Sequence, residues 1–139
     1  MLLAVSLLGG YYLYAQPQTE QIEFGGVTLT VELATTPAQQ EQGLSDRNSM
    51  PANHGMLFVF TQEGEWSFWM TEMRFPLDII WFNSTRQVVF IEQDLPPCAP
   101  PPASCPVYTP PVNALYVLEV NAGFVSAHDI MLGQSFYYV

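Results

Sequence analysis

The chain has 139 residues and a formal charge of −10, with 13 acidic residues against three basic ones, all arginine. That length suits one domain with one buried core, and a hydrophobic content of 49% excludes a chain disordered by composition. So few cations exclude the counterion release on which nucleic-acid binding depends, and they disfavour an anionic membrane surface. The excess of acid suits a cationic ligand or metal, or it serves only solubility.

The first fifteen residues, MLLAVSLLGGYYLYA, carry no charge. They fall short of the roughly 20 apolar residues a membrane span needs. They resemble the apolar region of a signal peptide, or the end of a membrane anchor. No positive charge precedes them, and Leu13 stands where a cleavage site after Ala15 wants a small residue. Cleaved and anchored forms both stay open, as does a buried N-terminal strand. Residues 16–21, QPQTEQ, read as a polar linker, and residues 22–139 as a single β-rich domain.

IEFGGVTLTVELA alternates with period two around Gly25-Gly26, which predicts a hairpin. Val27, Leu29, Val31 and Leu33 share one face, and Thr28, Thr30 and Glu32 the other. TTPAQQEQGL predicts a short helix: Thr36 caps it, Pro37 opens it, Gln39 completes a capping box and Gly43 ends it. GMLFVF is a short apolar run before the polar turn TQEGE. WSFWM follows as a strand, and LDIIWF is a strand apolar on both faces except at Asp78. NSTR turns the chain into QVVFIEQ. A proline-rich loop runs from about Asp94 to Asn113, then LYVLEV forms a strand. NAGFVSAHDI reads as a turn and short helix before GQSFYYV. About seven strands with one or two short helices predict an all-β fold, mainly antiparallel, as a sandwich or barrel.

Cys98 and Cys105 lie in PPCAPPPASCP. Six intervening residues can close a disulfide ring, and a disulfide belongs outside a reducing cytosol. Free thiols and a zinc site are the alternatives. Zinc would need two further ligands, and only His54 and His128 could supply imidazole. With the apolar start, the cysteines predict an exported protein: periplasmic, extracellular or membrane-anchored.

VELATTPAQQEQGLSDR, GMLFVF, FWM, PLDIIWF and YVLEVNAG occur in that order, and together they resemble the domain of unknown function 192 family. The resemblance covers residues 27–139 and rests on Gly43, Leu44, Arg47, Gly55, Met56, Phe58, Trp69, Met70, Pro76, Leu77, Asp78, Leu118, Glu119 and Gly123. It implies a compact, jelly-roll-like β domain, often exported, with no established activity and so no catalytic residues. The chain departs from the family pattern at Ser45, at Glu72 and Met73, and at Gln134. If a polar site uses the positions of Glu72 and Met73, this chain has altered it.

Soft metal ligands come in two groups: Met50, His54 and Met56, then Met70 and Met73. Thioether and imidazole suit Cu(I), and an indole could cap the ion. Strand alternation opposes the simplest site, because Trp69 and Met70 would face opposite ways. Methionine is also a common core filler. Asp78 inside an apolar strand needs a partner, and Arg47 is the expected one, as a structural pin or at a pocket mouth. Glu119 alternates with Val117, so it faces solvent or lines a cleft. Asp78 with Glu119 could form a glycosidase-like pair, but sequence spacing sets no distance. No nucleophile motif, triad context or phosphate loop is present.

The reading that fits best is an exported β-sandwich that binds a small molecule, glycan or protein, with no nucleic-acid partner. Its expected site is a cleft rimmed by Arg47, Trp69, Asp78 and Glu119. The alternatives are a copper protein using His54, Met56, Met70 and Met73, and a hydrolase of undefined type.

Overall fold

The computed structural model describes residues 17–99 and 104–139. The apolar segment expected at 1–15 and the first linker residue lie outside the described residues. Among the described residues nine strands are present: β1 (Thr19–Phe24), β2 (Val27–Ala34), β3 (His54–Gly64), β4 (Phe68–Trp69), β5 (Leu77–Phe82), β6 (Val88–Leu95), β7 (Val107–Tyr108), β8 (Ala114–Asn121) and β9 (Tyr137–Tyr138). Two short helices join them, α1 (Pro37–Gln42) and α2 (Phe124–Ala127). Among the described residues no helix is long and apolar enough to cross a membrane.

Seven strands form one sheet in the order β6-β5-β8-β3-β2-β1-β9, and β4 pairs with β7 in a second, two-stranded sheet. The expected hairpin forms with Phe24 opposite Val27, and both turn glycines have positive φ, 63° and 80°. That is the geometry a two-residue hairpin turn requires. One pair departs from the antiparallel expectation, since β2 and β3 run parallel. A parallel pair needs a crossover, and α1 with its following loop supplies it. The capping box at Thr36 and Gln39 is present as predicted.

Three local differences have physical causes. Thr19 to Gln21 belong to β1 rather than to a linker, because they pair with β2 through Glu32 to Thr30. TQEGE does not turn; it extends β3 to Gly64, with its register against β8 shifted between Val59 and Gly64. WSFWM shortens to the two residues of β4, because only those find a partner, in β7 of the proline-rich loop.

Alternation along the strands divides the core between the two faces of the large sheet. Leu29, Val31, Leu57, Ile80, Phe82, Leu118 and Val120 face one side, where Phe124 and Val125 of α2, Ile130 and Phe136 cover them. Phe58, Leu77, Ile79, Trp81 and Val117 face the other, covered by Leu44, Met70, Met73 and Phe75, with Phe68 packed against them. The chain end reaches both edges of the sheet: Val88 N–H donates to Gln134 O at β6, and Tyr137 and Tyr138 pair with β1. The fold is sandwich-like and is not a closed barrel.

β5 is buried along all six residues, so Asp78 has no solvent to turn to. Its Oδ1 accepts from Asp94 N–H at 2.9 Å and its Oδ2 from Val125 N–H at 2.8 Å. The expected pair with Arg47 does not form. Arg47 follows α1 and binds Glu32 at 2.6 Å, on the opposite face of the sheet from Asp78. Asp78 therefore pins β6 and α2 to β5 through backbone donors. Asp78→Ala would strand two N–H groups, at about 1–3 kcal/mol each. Urea unfolding should show a loss of about 2–5 kcal/mol; a loss below about 1 kcal/mol would contradict this role.

Candidate functional site

A cleft of about 720 Å³ opens on the face covered by α1. One wall is α1 and its following turn, Ala38 to Ser45. The other is the segment from Trp66 to Met73, including β4. Phe58 and Phe60 of β3 and Glu119 of β8 complete the lining. Backbone bonds hold the walls. Gln40 Nε2 donates to Ala34 O and Val59 O, fixing α1 over β2 and β3. Asp46 N–H donates to Glu72 O, joining one wall to the other. Cys98 and Cys105 form the expected disulfide. Cys98 also bonds the second wall, donating to Met70 O and accepting from Glu72 N–H, so the bridged loop buttresses the cleft.

Aromatic side chains dominate the interior. Phe60 and Trp66 stack in parallel with centroids 4.1 Å apart. Phe68 packs edge-on against Phe58 and Trp81. Trp69 lies on the opposite side of β4 from Phe68 and is 56% exposed, yet it still lines the opening. Strand alternation had separated these two side chains correctly.

Glu119 lies in the floor with only 4% of its surface exposed. It sits on an interior strand, opposite Met56 of β3 on one side and Ile79 of β5 on the other. Neither neighbour offers a hydrogen bond. Among the described residues, Glu119 Oε2 and Trp66 Nε1 are the buried side-chain polar atoms without a hydrogen-bond partner, and both residues line this cleft. Burial raises the Glu119 carboxyl from its ordinary 4.5 to about 8; the nearby Arg47 guanidinium pulls the other way and does not prevail. Gly43, at φ 50°, passes over this end of the cleft, where a Cβ would stand 3.9 Å from Glu119 Oε2.

The structure brings Trp69 and Glu119 to one cleft and separates Asp78 from them. Asp78 is in register with Val120, whereas Ile79 is in register with Glu119, so the two carboxylates point to opposite faces and form no pair. Arg47 stands beside the cleft, held by Glu32. Met56, Met70 and Met73 are all buried in one core cluster. His54 opens β3 opposite Thr30 of β2 and is not part of that cluster. Among the described residues no group of three His, Cys, Asp or Glu side chains is placed to hold a metal ion. Sequence reasoning did not assign Phe58, Phe60, Trp66 or Glu41 to the site. The density of aromatics from Phe58 to Trp69 was the available signal. Ser45, Glu72 and Met73, expected from the sequence to differ from the family pattern, all line the cleft.

Fold and site define a sandwich-like β domain with an aromatic, carboxylate-floored cleft. Residues 20–137 match the family called domain of unknown function 192, described as "Uncharacterized ACR", and the chain belongs to that family. A crystal structure of a proposed transcription regulator from Sinorhizobium meliloti 1021 is similar, with 32% identity and a TM-score of 0.79 over 89% of this chain and 96% of that one. A protein of unknown function from Novosphingobium aromaticivorans is similar at 27% identity and a TM-score of 0.74, over 88% of this chain and 85% of that one. No curated protein matches the chain.

The buried carboxyl makes stability depend on pH with a definite sign. Its folded pKa lies above its unfolded one, so folding takes up a proton between about 4.5 and about 8. This contribution is complete below the lower value and lost as pH rises through the upper one. Stability should fall by roughly 4 kcal/mol between about pH 5 and about pH 9, and Glu119→Gln should flatten that fall. Urea midpoints across the range provide the check; parallel curves for the two proteins would contradict it.

Proposed function

We propose that this domain is a ligand-binding module whose site is the cleft between α1 and the segment from Trp66 to Met73, and that it works outside the reducing cytosol. The unpartnered Oε2 of buried Glu119 carries the reading. Buried polar atoms in folded proteins are nearly always paired, and an exception calls for a reason. Here the residue with the unpartnered carboxyl oxygen and the residue with the unpartnered indole N–H both line one opening, beside apolar walls. Few polar groups among aromatic surfaces is the usual make-up of a small-molecule site.

Binding fits the lining better than catalysis does. The lining residues include no His, Cys or Lys, and the Ser45 and Ser67 hydroxyls bond to Gln42 O and Thr109 Oγ1 rather than to a carboxylate that could activate them. The description of the Sinorhizobium meliloti protein as a proposed regulator does not extend readily to DNA contact by this chain. Arg47 binds Glu32, Arg74 contacts Asp46 and Asn48, and Arg86 lies over Tyr138 at 4.8 Å. A net charge of −10 opposes a phosphate backbone.

The binding test is nuclear magnetic resonance of nitrogen-labelled protein with a fragment set spanning basic, acidic and neutral compounds. At least one class should shift the Trp66 indole signal in a saturable way. If no class moves it at millimolar concentration, the cleft is not a ligand site. The compartment is tested separately, by alkylating thiols in intact cells before lysis. Cys98 and Cys105 should carry no label, whereas labelling of both would place the domain in a reducing environment.

A further inference from the structure

Building on that binding reading, we propose that the cleft accepts an organic ammonium ion, with the positive nitrogen against the Glu119 carboxylate and its carbon substituents on the aromatic walls. Three observations converge. The charged side chains lining the cleft are Glu41, Glu72 and Glu119, and no arginine, lysine or histidine joins them. The walls are Phe58, Phe60, Trp66, Phe68 and Trp69, and aromatic rings attract cations through their negative faces. Glu119 Oε2 is buried without a partner, so a cation that reaches it gains an ion pair in a poorly solvated place.

The alternatives fit less well. A bare metal ion wants several oxygen or nitrogen ligands at once, and among the described residues no three such side chains cluster. A volume of about 720 Å³ also suits an organic molecule. An anion would meet three carboxylates. A neutral sugar could stack on the rings, but it would leave the acidic lining without a use. The Trp66 indole N–H adds a detail, because it donates only. The ammonium ligand should therefore also carry a hydroxyl or carbonyl oxygen to accept from it.

The pH response separates a cation from a neutral ligand. The groups around Glu119 are Arg47 held by Glu32 of β2, Glu41 of α1, and Glu72 on the facing wall. His54 precedes Met56 by two residues on β3, and Glu92 of β6 lies beyond Ile79 in the same row. A quaternary ammonium has a fixed charge, so its pH dependence reports the protein. The free carboxyl titrates near 8 and must ionise to pair with a cation, so affinity rises with pH. A neutral acceptor would instead use the protonated carboxyl as a donor and would bind less well as pH rises.

Choline and its neutral carbon isostere, in which a tert-butyl group replaces trimethylammonium, are the probes for calorimetric titration. Choline should bind about tenfold more tightly at pH 9 than at pH 7, from the change in ionised Glu119, and more tightly than the isostere. Glu119→Gln should cost at least about tenfold at pH 9 and remove the pH response. Trp69→Ala, at a half-exposed position, should weaken choline about threefold or more while leaving the thermal melt unchanged, and it decides the matter if Glu119→Gln fails to fold. Equal or tighter binding of the isostere, or choline affinity that falls with pH, overturns the ammonium assignment and leaves the cleft as a site for a neutral ligand. If neither probe binds while another fragment shifts the Trp66 indole, the assignment also fails and the binding reading stands. If no fragment shifts it, both fail.

Discussion

The burial of β5 and β8 on both faces of the large sheet is the constraint on which the rest depends. Each residue of β5, and Val117 to Val120 of β8, must be settled inside the protein, because neither face meets solvent there. Apolar residues do this by packing. The two carboxylates do it in different ways. Asp78 faces the layer that holds α2 and accepts two backbone N–H bonds. Glu119 faces the other layer, where its strand neighbours are Met56 and Ile79 and its Oε2 has no partner. The first carboxylate is a structural joint. The second is buried without a partner for one oxygen, a cost that the nearby Arg47 does not offset. That is the condition under which a stable fold retains a group for some other use.

The elements around Glu119 keep this state in place. The cap at Thr36 starts α1 at a fixed point, and Gly43 ends it in a conformation that few residues adopt. Arg47 then binds Glu32 on the neighbouring strand, close enough to act on Glu119 but already engaged. On the other wall, the loop bridged by Cys98 and Cys105 bonds to Met70 and Glu72. Both walls are held by hydrogen bonds within the protein, so the proposed ligand would meet a cleft already formed, at a lower entropic cost. The disulfide thus belongs to the site as well as to the stability of the loop.

The similarity to other members of the family concerns the fold and most of the chain length. It does not fix a ligand. Ser45, Glu72 and Met73, three of the positions expected from the sequence to differ from the family pattern, lie in the cleft lining with Glu119.

By itself the sequence determined the β class, the hairpin at Gly25-Gly26, the capped helix at Thr36, the disulfide partners and the division of Phe68 from Trp69. These follow from local rules: period-two alternation, capping chemistry and the reach of a short loop. It also marked Asp78 and Glu119 as residues that needed explaining. It could not say that one is a joint and the other lies in the lining of a cleft. That depends on register, since β5 sets Ile79 rather than Asp78 beside Glu119. A shift of one residue exchanges the faces of a strand, and register is fixed by partners far away in the chain. The cleft has the same origin, because its walls come from residues 38–45 and 66–73. Only the tertiary packing brings them over Glu119, whose buried Oε2 has no partner.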